Sequence, residues 1–147
     1  MEAGVVSSQT VFWLSGGIMT FTAGQCWRYL PPQGFEHSRI IVGAIASFSS
    51  DARILCCAVL AAPERQPDGT CATVTIPFLP ISEAAFRQTV TRLDDAAAMA
   101  LPDGFVAALE AWRSDPKGLS CFTVAFDGFM DRMIARQMAQ IVGTDAA

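Results

Sequence analysis

The chain has 147 residues, of which 52% are hydrophobic and 16% are charged, and its net charge at pH 7 is −4. Its length fits one domain, and its apolar content argues against a disordered chain. Ten basic residues against fourteen acidic ones argue against nucleic-acid binding, which needs clustered Lys and Arg. The sequence contains no run of 18 apolar residues, so no membrane span is predicted.

Residues 1–18 are a candidate N-terminal extension, and residues 19–147 are expected to form a single domain. The apolar residues at 11–14 resemble the core of a signal peptide, but the segment before them holds Glu2 and no basic residue, which is the wrong charge. Two interpretations stay open. The segment is an upstream extension before a natural start at Met19, or it is a tail that docks on the domain. We expect a cytoplasmic location, and the bias of the basic residues toward Arg points to a GC-rich bacterial source.

Four strands are predicted in the first half of the chain, over residues 20–30, 39–48, 53–61 and 70–78. The second of them is rich in β-branched residues, and the short turn after it favours a hairpin with the third. Residues 63–69 contain two prolines and a glycine and predict a loop. Pro77 limits the fourth strand to an edge or an end of the sheet.

The second half is predicted to be mainly helical. Ser82 is a candidate cap for a helix in which apolar residues recur at steps of four, three and four, namely Phe86, Val90, Leu93 and Ala97. Asp103 is a candidate cap for a second helix that starts near Phe105 and ends before Pro116. A strand over residues 119–126 and a last helix over 129–142 follow, with Gly143 as the stop.

The predicted order, β-β-β-β-α-α-β-α, indicates an α+β fold, because strands cluster first and helices follow. The expected architecture is an antiparallel sheet covered by about three C-terminal helices. A small SH3-like half-barrel is one form that such a sheet can take.

Five cysteines, at positions 26, 56, 57, 71 and 121, are an odd number with no metal-ligand spacing. Cys56 and Cys57 would point to opposite faces of a strand and are poorly placed to bridge each other. We expect free thiols that act as small hydrophobic side chains. No metal site and no cofactor are predicted.

Residues 26–43 form the most unusual stretch, with the only Tyr, the only His and a shaped Pro-Pro-Gln-Gly turn. Two arginines here could form a cationic site for a carboxylate or a phosphate, with aromatic side chains as its walls. The candidate ligand-binding residues are Trp27, Arg28, Tyr29, Phe35, His37 and Arg39. The alternative is a tight connection in which Trp27 packs in the core and Glu36 pairs with an arginine.

No catalytic residue is assigned. His37 is the only imidazole, and its sequence neighbours Glu36 and Ser38 face away from it on an extended chain, so they form no triad with it. Asp94 and Asp95 are expected at a solvated helix end. In the last helix the candidate interface residues are Met130, Met133 and Met138, whose pliable face suits a partner, unless it seals the domain's own core.

The leading functional hypothesis is a non-catalytic cytoplasmic bacterial interaction or regulatory module that self-associates. It rests on the high apolar content and on the missing catalytic motifs. The main alternative is a small-molecule binding protein, or a modest enzyme, with an anion pocket around Arg28 and Arg39, which requires those two side chains to converge in a concave site. A protein that blocks an unrelated partner also fits the acidic charge.

Overall fold

The computed structural model describes residues 21–49, 52–94, 100–117 and 120–141, so the candidate extension lies outside the described residues. In these ranges the chain forms one five-stranded antiparallel sheet and three helices, and the predicted α+β fold is confirmed. The strands are β1 (Cys26–Tyr29), β2 (Arg39–Ser49), β3 (Ala52–Arg65), β4 (Cys71–Ser82) and β5 (Val90–Leu93). The helices are α1 (Glu83–Thr89), α2 (Phe105–Arg113) and α3 (Met130–Ile141).

The sheet has the strand order β4-β3-β2-β1-β5. The first four strands form a meander, and the chain then passes through α1 to place β5 on the far side of β1. β4 and β5 are therefore the two edges, and the edge position predicted from Pro77 is confirmed. The SH3-like half-barrel stays a prediction.

Three strand boundaries differ from the prediction by four residues or more, namely the start of β1, the end of β3 and the end of β4, which continues to Ser82. β1 begins only at Cys26, because the preceding residues form a turn in which Gln25 N–H donates to Thr22 O (3.4 Å). β3 runs on to Arg65 through Pro63, which the sequence assigned to a loop. Pro63 lies opposite Thr73 in the β3–β4 ladder, so pairing with the neighbouring strand overrides the local preference of proline for a loop.

The first predicted helix is about half as long as expected, and the residues that follow it, Val90–Leu93, form a strand. α1 starts at the predicted cap, where Ser82 Oγ accepts from Ala85 N–H (3.2 Å), and it ends at Thr89. Thr89 Oγ1 donates to Ala85 O (2.8 Å) and accepts from Phe126 N–H (3.0 Å), which ties the helix end to a distant loop. The next residues then pair with β1 as β5.

Two further predictions need correction after β5. The cap of α2 is Gly104, with no side-chain hydrogen bond, and Asp103 does not fill that role. The predicted strand over 119–126 reduces, in its described part, to a single bridge between Phe122 and Ile81 of β4. The final helix is confirmed over Met130–Ile141, and the predicted stop at Gly143 lies outside the described residues.

Both faces of the sheet are covered by apolar clusters, because side chains alternate along β3. One face packs against α1, α3 and the loop before α3, and its buried members include Trp27, Leu55, Phe86 and Met133. The other face packs against α2 through Ile54, Cys56, Ala58 and Phe105. Cys57 belongs to the first cluster and Cys56 to the second, so their predicted opposite orientation is confirmed. Among the described residues, no helix combines the length and apolar character needed to cross a bilayer.

Candidate functional site

The turn between β1 and β2 positions the candidate ligand-binding residues. Its backbone closes through hydrogen bonds from Phe35 N–H to Pro32 O (3.0 Å) and from Ser38 N–H to Phe35 O (3.0 Å). Gly34 has φ +95°, a left-handed conformation that favours glycine, and its N–H donates to the Glu36 carboxylate (3.0 Å). The Glu36 carboxylate therefore stabilises its own turn. The tight-connection alternative had expected it to pair with an arginine, and no such pair is present among the described residues.

Trp27 lies in the core and is not accessible to a ligand. It is 0% exposed, and its ring makes edge-to-face contacts with Phe21 and Phe86 at centroid distances of 5.2 and 6.2 Å. Its indole Nε1–H donates to Gln25 Oε1 (3.1 Å), which satisfies the one polar group of the ring. This is the packing role that the sequence offered as the alternative to ligand binding.

Tyr29 is also buried, and its hydroxyl has a structural partner. The Tyr29 and Ser38 hydroxyls lie 2.7 Å apart, and Ser38 Oγ donates its single hydrogen to Leu60 O (2.9 Å). Tyr29 O–H must then be the donor to Ser38 Oγ. Burial raises the pKa of Tyr29 above its usual value, so the phenol stays protonated and keeps intact this chain of bonds from β1, through Ser38 just before β2, to β3.

The predicted convergence of Arg28 and Arg39 occurs, but the group between them is a carboxylate of the chain itself. Asp94 Oδ2 accepts from Arg39 Nε (2.8 Å) and from Arg28 Nε (3.3 Å). Arg39 is 12% exposed, and its Nη1 also donates to the carbonyls of Glu36 and Ser38 (both 2.9 Å). The hydrogen bond from Arg39, followed by the charge of Arg28, holds the pKa of Asp94 below its usual value despite partial burial.

A third arginine joins this group through the strand register. Arg28 of β1 lies directly opposite Arg92 of β5. On the other side of β1, Trp27 pairs with Ile40, and continuing that register by one residue places Arg28 opposite Arg39. Residues directly opposite in neighbouring strands share a face of the sheet. Arg39, Arg28 and Arg92 therefore form one row across β2, β1 and β5, which we call the arginine row.

The remaining two candidate ligand residues lie in the turn. Phe35 is partly exposed and His37 is exposed, and His37 makes no hydrogen bond with any described residue. No group of three His, Cys, Asp or Glu side chains among the described residues could hold a metal ion. The arrangement in this region can therefore bind through charge and hydrogen bonds, and it positions no nucleophile against a base within the described part of the chain.

Cavities lie elsewhere in the fold. One of about 390 Å³ lies between α2 and the sheet, and its lining comprises Ala44, Ile45, Ala46, Cys56, Leu109, Trp112 and Arg113. Another, of about 370 Å³, lies between the β3–β4 ladder and the start of α3. A smaller one of about 230 Å³ lies beside the end of α3, and its lining comprises Pro80, Ser120, Cys121, Phe122, Gln137 and Ile141. None of these three cavities includes a member of the arginine row, so the concave site that the anion-pocket alternative requires is not among them.

The cysteines differ sharply in accessibility, and no disulfide joins any of the five. Burial, with Cys121 as a second cause, raises the pKa of Cys56 to about 11, and burial raises the pKa of Cys57 well above its usual value. Cys71 is exposed on β4. Because the thiolate is the reactive form, we expect Cys71 to react at once with the thiol reagent DTNB at pH 8, and Cys56 and Cys57 only after unfolding.

Absorbance of the released thiolate measures this difference. Cys71→Ser should remove the fast phase and leave the denatured total lower by one thiol. A fast phase that persists in Cys71→Ser with the amplitude of one thiol, and is traced by mass mapping to Cys56 or Cys57, would contradict the assignment.

The methionines of α3 divide between the core and the surface. Met133 is fully buried and Met130 is partly buried against the main apolar cluster, so both seal the chain's own core. Met138 is 53% exposed and is the only one of the three candidates that is well exposed. The exposed apolar face continues through Ile134 and Ile141, which were not among the predicted interface residues.

Sequence reasoning also missed Asp94 and Arg92. Asp94 was expected at a solvated helix end, yet its side chain is only 11% exposed and holds two arginines. Its role follows from β5, and the β-branched residues Thr89, Val90 and Thr91 were the local indication that the helix stops early. Asp95 lies outside the described residues.

The comparisons with known proteins give no family for this chain. Neither a protein-family model, nor a curated protein, nor a solved structure matches it.

Proposed function

We propose that this chain is a non-catalytic interaction module that self-associates through the exposed apolar face of α3. The observation that carries the proposal is the stripe of Ile134, Met138 and Ile141, which are 47%, 53% and 67% exposed. Their spacing of four and three residues places them on one side of the helix. Large apolar side chains that stay exposed together on one helix face are typical of an interaction surface.

Only part of the apolar face of α3 packs against the rest of the domain, and the remainder is exposed. Met130 and Met133 lie on its inner part and pack into the core, while Ile134, Met138 and Ile141 continue the same face outward. The charges of the helix are engaged away from this stripe, as Arg132 Nη1 pairs with Asp127 Oδ2 (2.7 Å) and Arg136 Nη2 donates to Ala125 O (2.6 Å). The stripe therefore has no charged member.

A groove adjoins the stripe, which supports a second copy of the chain as the occupant. Ile141 belongs both to the exposed stripe and to the lining of the 230 Å³ cavity, together with Pro80, Cys121 and Phe122. In a contact with twofold symmetry each copy presents the same surface, so the ridge of one helix can enter the groove of the other. Neither element carries an acidic or basic side chain that would require an opposite charge on a different protein.

The composition of the chain supports the same occupant. Only 16% of its residues are charged, and the cores of protein interfaces are depleted of charge. Antiparallel pairing of two α3 helices would also set their dipoles in opposite directions, which is favourable. In a twofold contact between α3 helices, both sides of the interface, the apolar stripe and the adjoining groove, would come from copies of this chain.

We expect Met138→Glu to shift the chain from dimer to monomer, because it places a carboxylate at the centre of the apolar contact. Burying an unpaired charge there costs several kcal/mol, about enough to weaken a micromolar dimer by a hundredfold or more. Sedimentation velocity over a range of concentrations measures the change. Since Met138 is already half-exposed, circular dichroism should show an unchanged fold.

Val106→Glu is the matched control, since Val106 is 65% exposed on a different helix. This variant should remain dimeric. A wild-type chain that stays monomeric at about 200 µM, where even a weak millimolar-range dimer begins to form, would overturn the proposal. A Met138→Glu dimer as stable as the wild type would place the contact elsewhere.

A further inference from the structure

The arginine row concentrates positive charge in an otherwise acidic protein. The chain has nine arginines and one lysine with a net charge of −4, yet three arginines lie side by side across β2, β1 and β5. Like charges directly opposite each other on neighbouring strands destabilise a sheet. Arg28 has such a neighbour in Arg92, so a bound anion between them would relieve their repulsion.

The chain compensates this charge only in part. Asp94 is the one carboxylate among the described residues that contacts the row, and it accepts from Arg39 and Arg28 through a single oxygen, Oδ2. The nearby Glu36 carboxylate accepts from Gly34 N–H, and only the Glu36 carbonyl contacts Arg39. Three guanidinium groups against one carboxylate leave two positive charges at the row among the described residues.

The donors that remain point to the central and outer arginines. Arg28 uses Nε for Asp94, and its two terminal nitrogens have no acceptor among the described residues. Arg92 is exposed and makes no hydrogen bond or ion pair with any described residue. Arg39, by contrast, is committed through Nε and Nη1. The row thus has one arginine held in place, one oriented by Asp94 with its outer nitrogens available, and one fully available.

We infer that the row binds the phosphate group of a small phosphate monoester, through Arg28 and Arg92. A phosphate monoester carries close to two negative charges at neutral pH and three acceptor oxygens, which match the two uncompensated charges and the available N–H donors. A carboxylate supplies one charge and would leave the row half-neutralised. Asp94 acts as a positioning residue, because it holds Nε of Arg28 and leaves the two terminal nitrogens of that guanidinium without an acceptor among the described residues.

Arg92→Gln is the decisive variant, because this side chain can be replaced without loss of a described contact. Isothermal titration with inorganic phosphate, at constant ionic strength, should show binding to the wild type and a Kd raised about tenfold or more in Arg92→Gln, as expected for the loss of charge-assisted hydrogen bonds. Arg113→Gln is the matched control, since Arg113 is an exposed arginine on α2 that pairs with Glu110 outside the row. It should bind phosphate like the wild type.

Each other outcome overturns the inference. No phosphate binding by the wild type up to about 20 mM would remove the site. An equal loss in Arg113→Gln would show general charge attraction, and an unchanged Kd in Arg92→Gln would place the anion elsewhere. Acetate that binds as tightly as phosphate would refute the match to a dianion. The inference does not depend on self-association, so Met138→Glu should bind phosphate with the wild-type Kd.

Discussion

Gly43→Ala should destabilise the domain by about 1–3 kcal/mol, the usual cost of forcing an extra group into a packed core. Gly43 lies in β2 at a register shift between Val42 and Ala44, where the ring of Phe105 packs on the sheet. A Cβ at this position would lie 2.7 Å from Cε2 and 2.9 Å from Cε1 of that ring, and closer still to Cζ. Denaturant unfolding followed by circular dichroism measures the loss.

A loss of stability in Gly43→Ala would point to the clash with Phe105, because the backbone preference alone predicts a gain. The φ of Gly43 is outside the left-handed region, and alanine in the interior of a strand is otherwise favoured over glycine by about 0.5–1 kcal/mol. The control is the same change in a Phe105→Leu background, where the smaller side chain leaves space for the methyl group. The cost of Gly43→Ala should shrink there, and a cost of equal size in both backgrounds would contradict the clash.

Trp27→Ala should cost about 3–5 kcal/mol, as large-to-small changes of buried aromatic residues do. The variant loses the edge-to-face contacts with Phe21 and Phe86, which form a mutual aromatic cluster with Trp27, and it leaves Gln25 Oε1 without the indole donor. Since a domain of this size is stabilised by about 5–15 kcal/mol in total, a large part of its stability is at stake. The free energy of unfolding, from a urea or guanidinium titration, provides the measurement.

Trp27→Phe is the conservative partner of this variant. It keeps a ring in the cluster and should recover most of the lost stability, with the indole hydrogen bond as the remaining difference. If Trp27 served mainly as the wall of a ligand site, Trp27→Ala would change stability by less than about 0.5 kcal/mol, the range of ordinary surface substitutions.

The sequence correctly predicted those element boundaries that are set by side chains next to them in the chain. Ser82 was recognised as a cap from its hydroxyl, and the hydroxyl does accept from Ala85 N–H. The apolar spacing of Phe86, Val90 and Leu93 was read as one helix, yet the pattern is compatible with a buried helical residue followed by a half-buried strand. Pairing of β5 with β1 decides between them, and that partner lies more than 60 residues earlier in the chain. The β-branched residues Thr89, Val90 and Thr91 indicate locally that the helix ends early, but no local pattern identifies β1 as the partner.

In the candidate site too, features set by nearby residues were predictable from the sequence, and contacts with distant residues were not. The anion-pocket alternative required Arg28 and Arg39 to converge, and the two side chains do converge. The sequence could not indicate that Asp94 lies between them, since that carboxylate is 66 residues from Arg28 and 55 from Arg39. Trp27 and Tyr29 were candidates because they are rare residues in an unusual segment. Their alternation with Arg28 along β1 places them on the opposite, buried face.

The return of β5 to β1 has a consequence for how the chain folds as it is synthesised. The meander from β1 to β4 joins neighbours in sequence and can form as soon as each hairpin leaves the ribosome. The outer edge of β1 can pair only after β5 has emerged. This pairing closes a loop of about 60 residues, and the entropy cost of closing it is repaid only when the β1–β5 contacts form. A nascent chain stalled before Val90 would therefore present the outer edge of β1 unpaired, with Arg28 and Arg39 lacking the carboxylate that later holds them. The arginine row is assembled only when β5 pairs with β1.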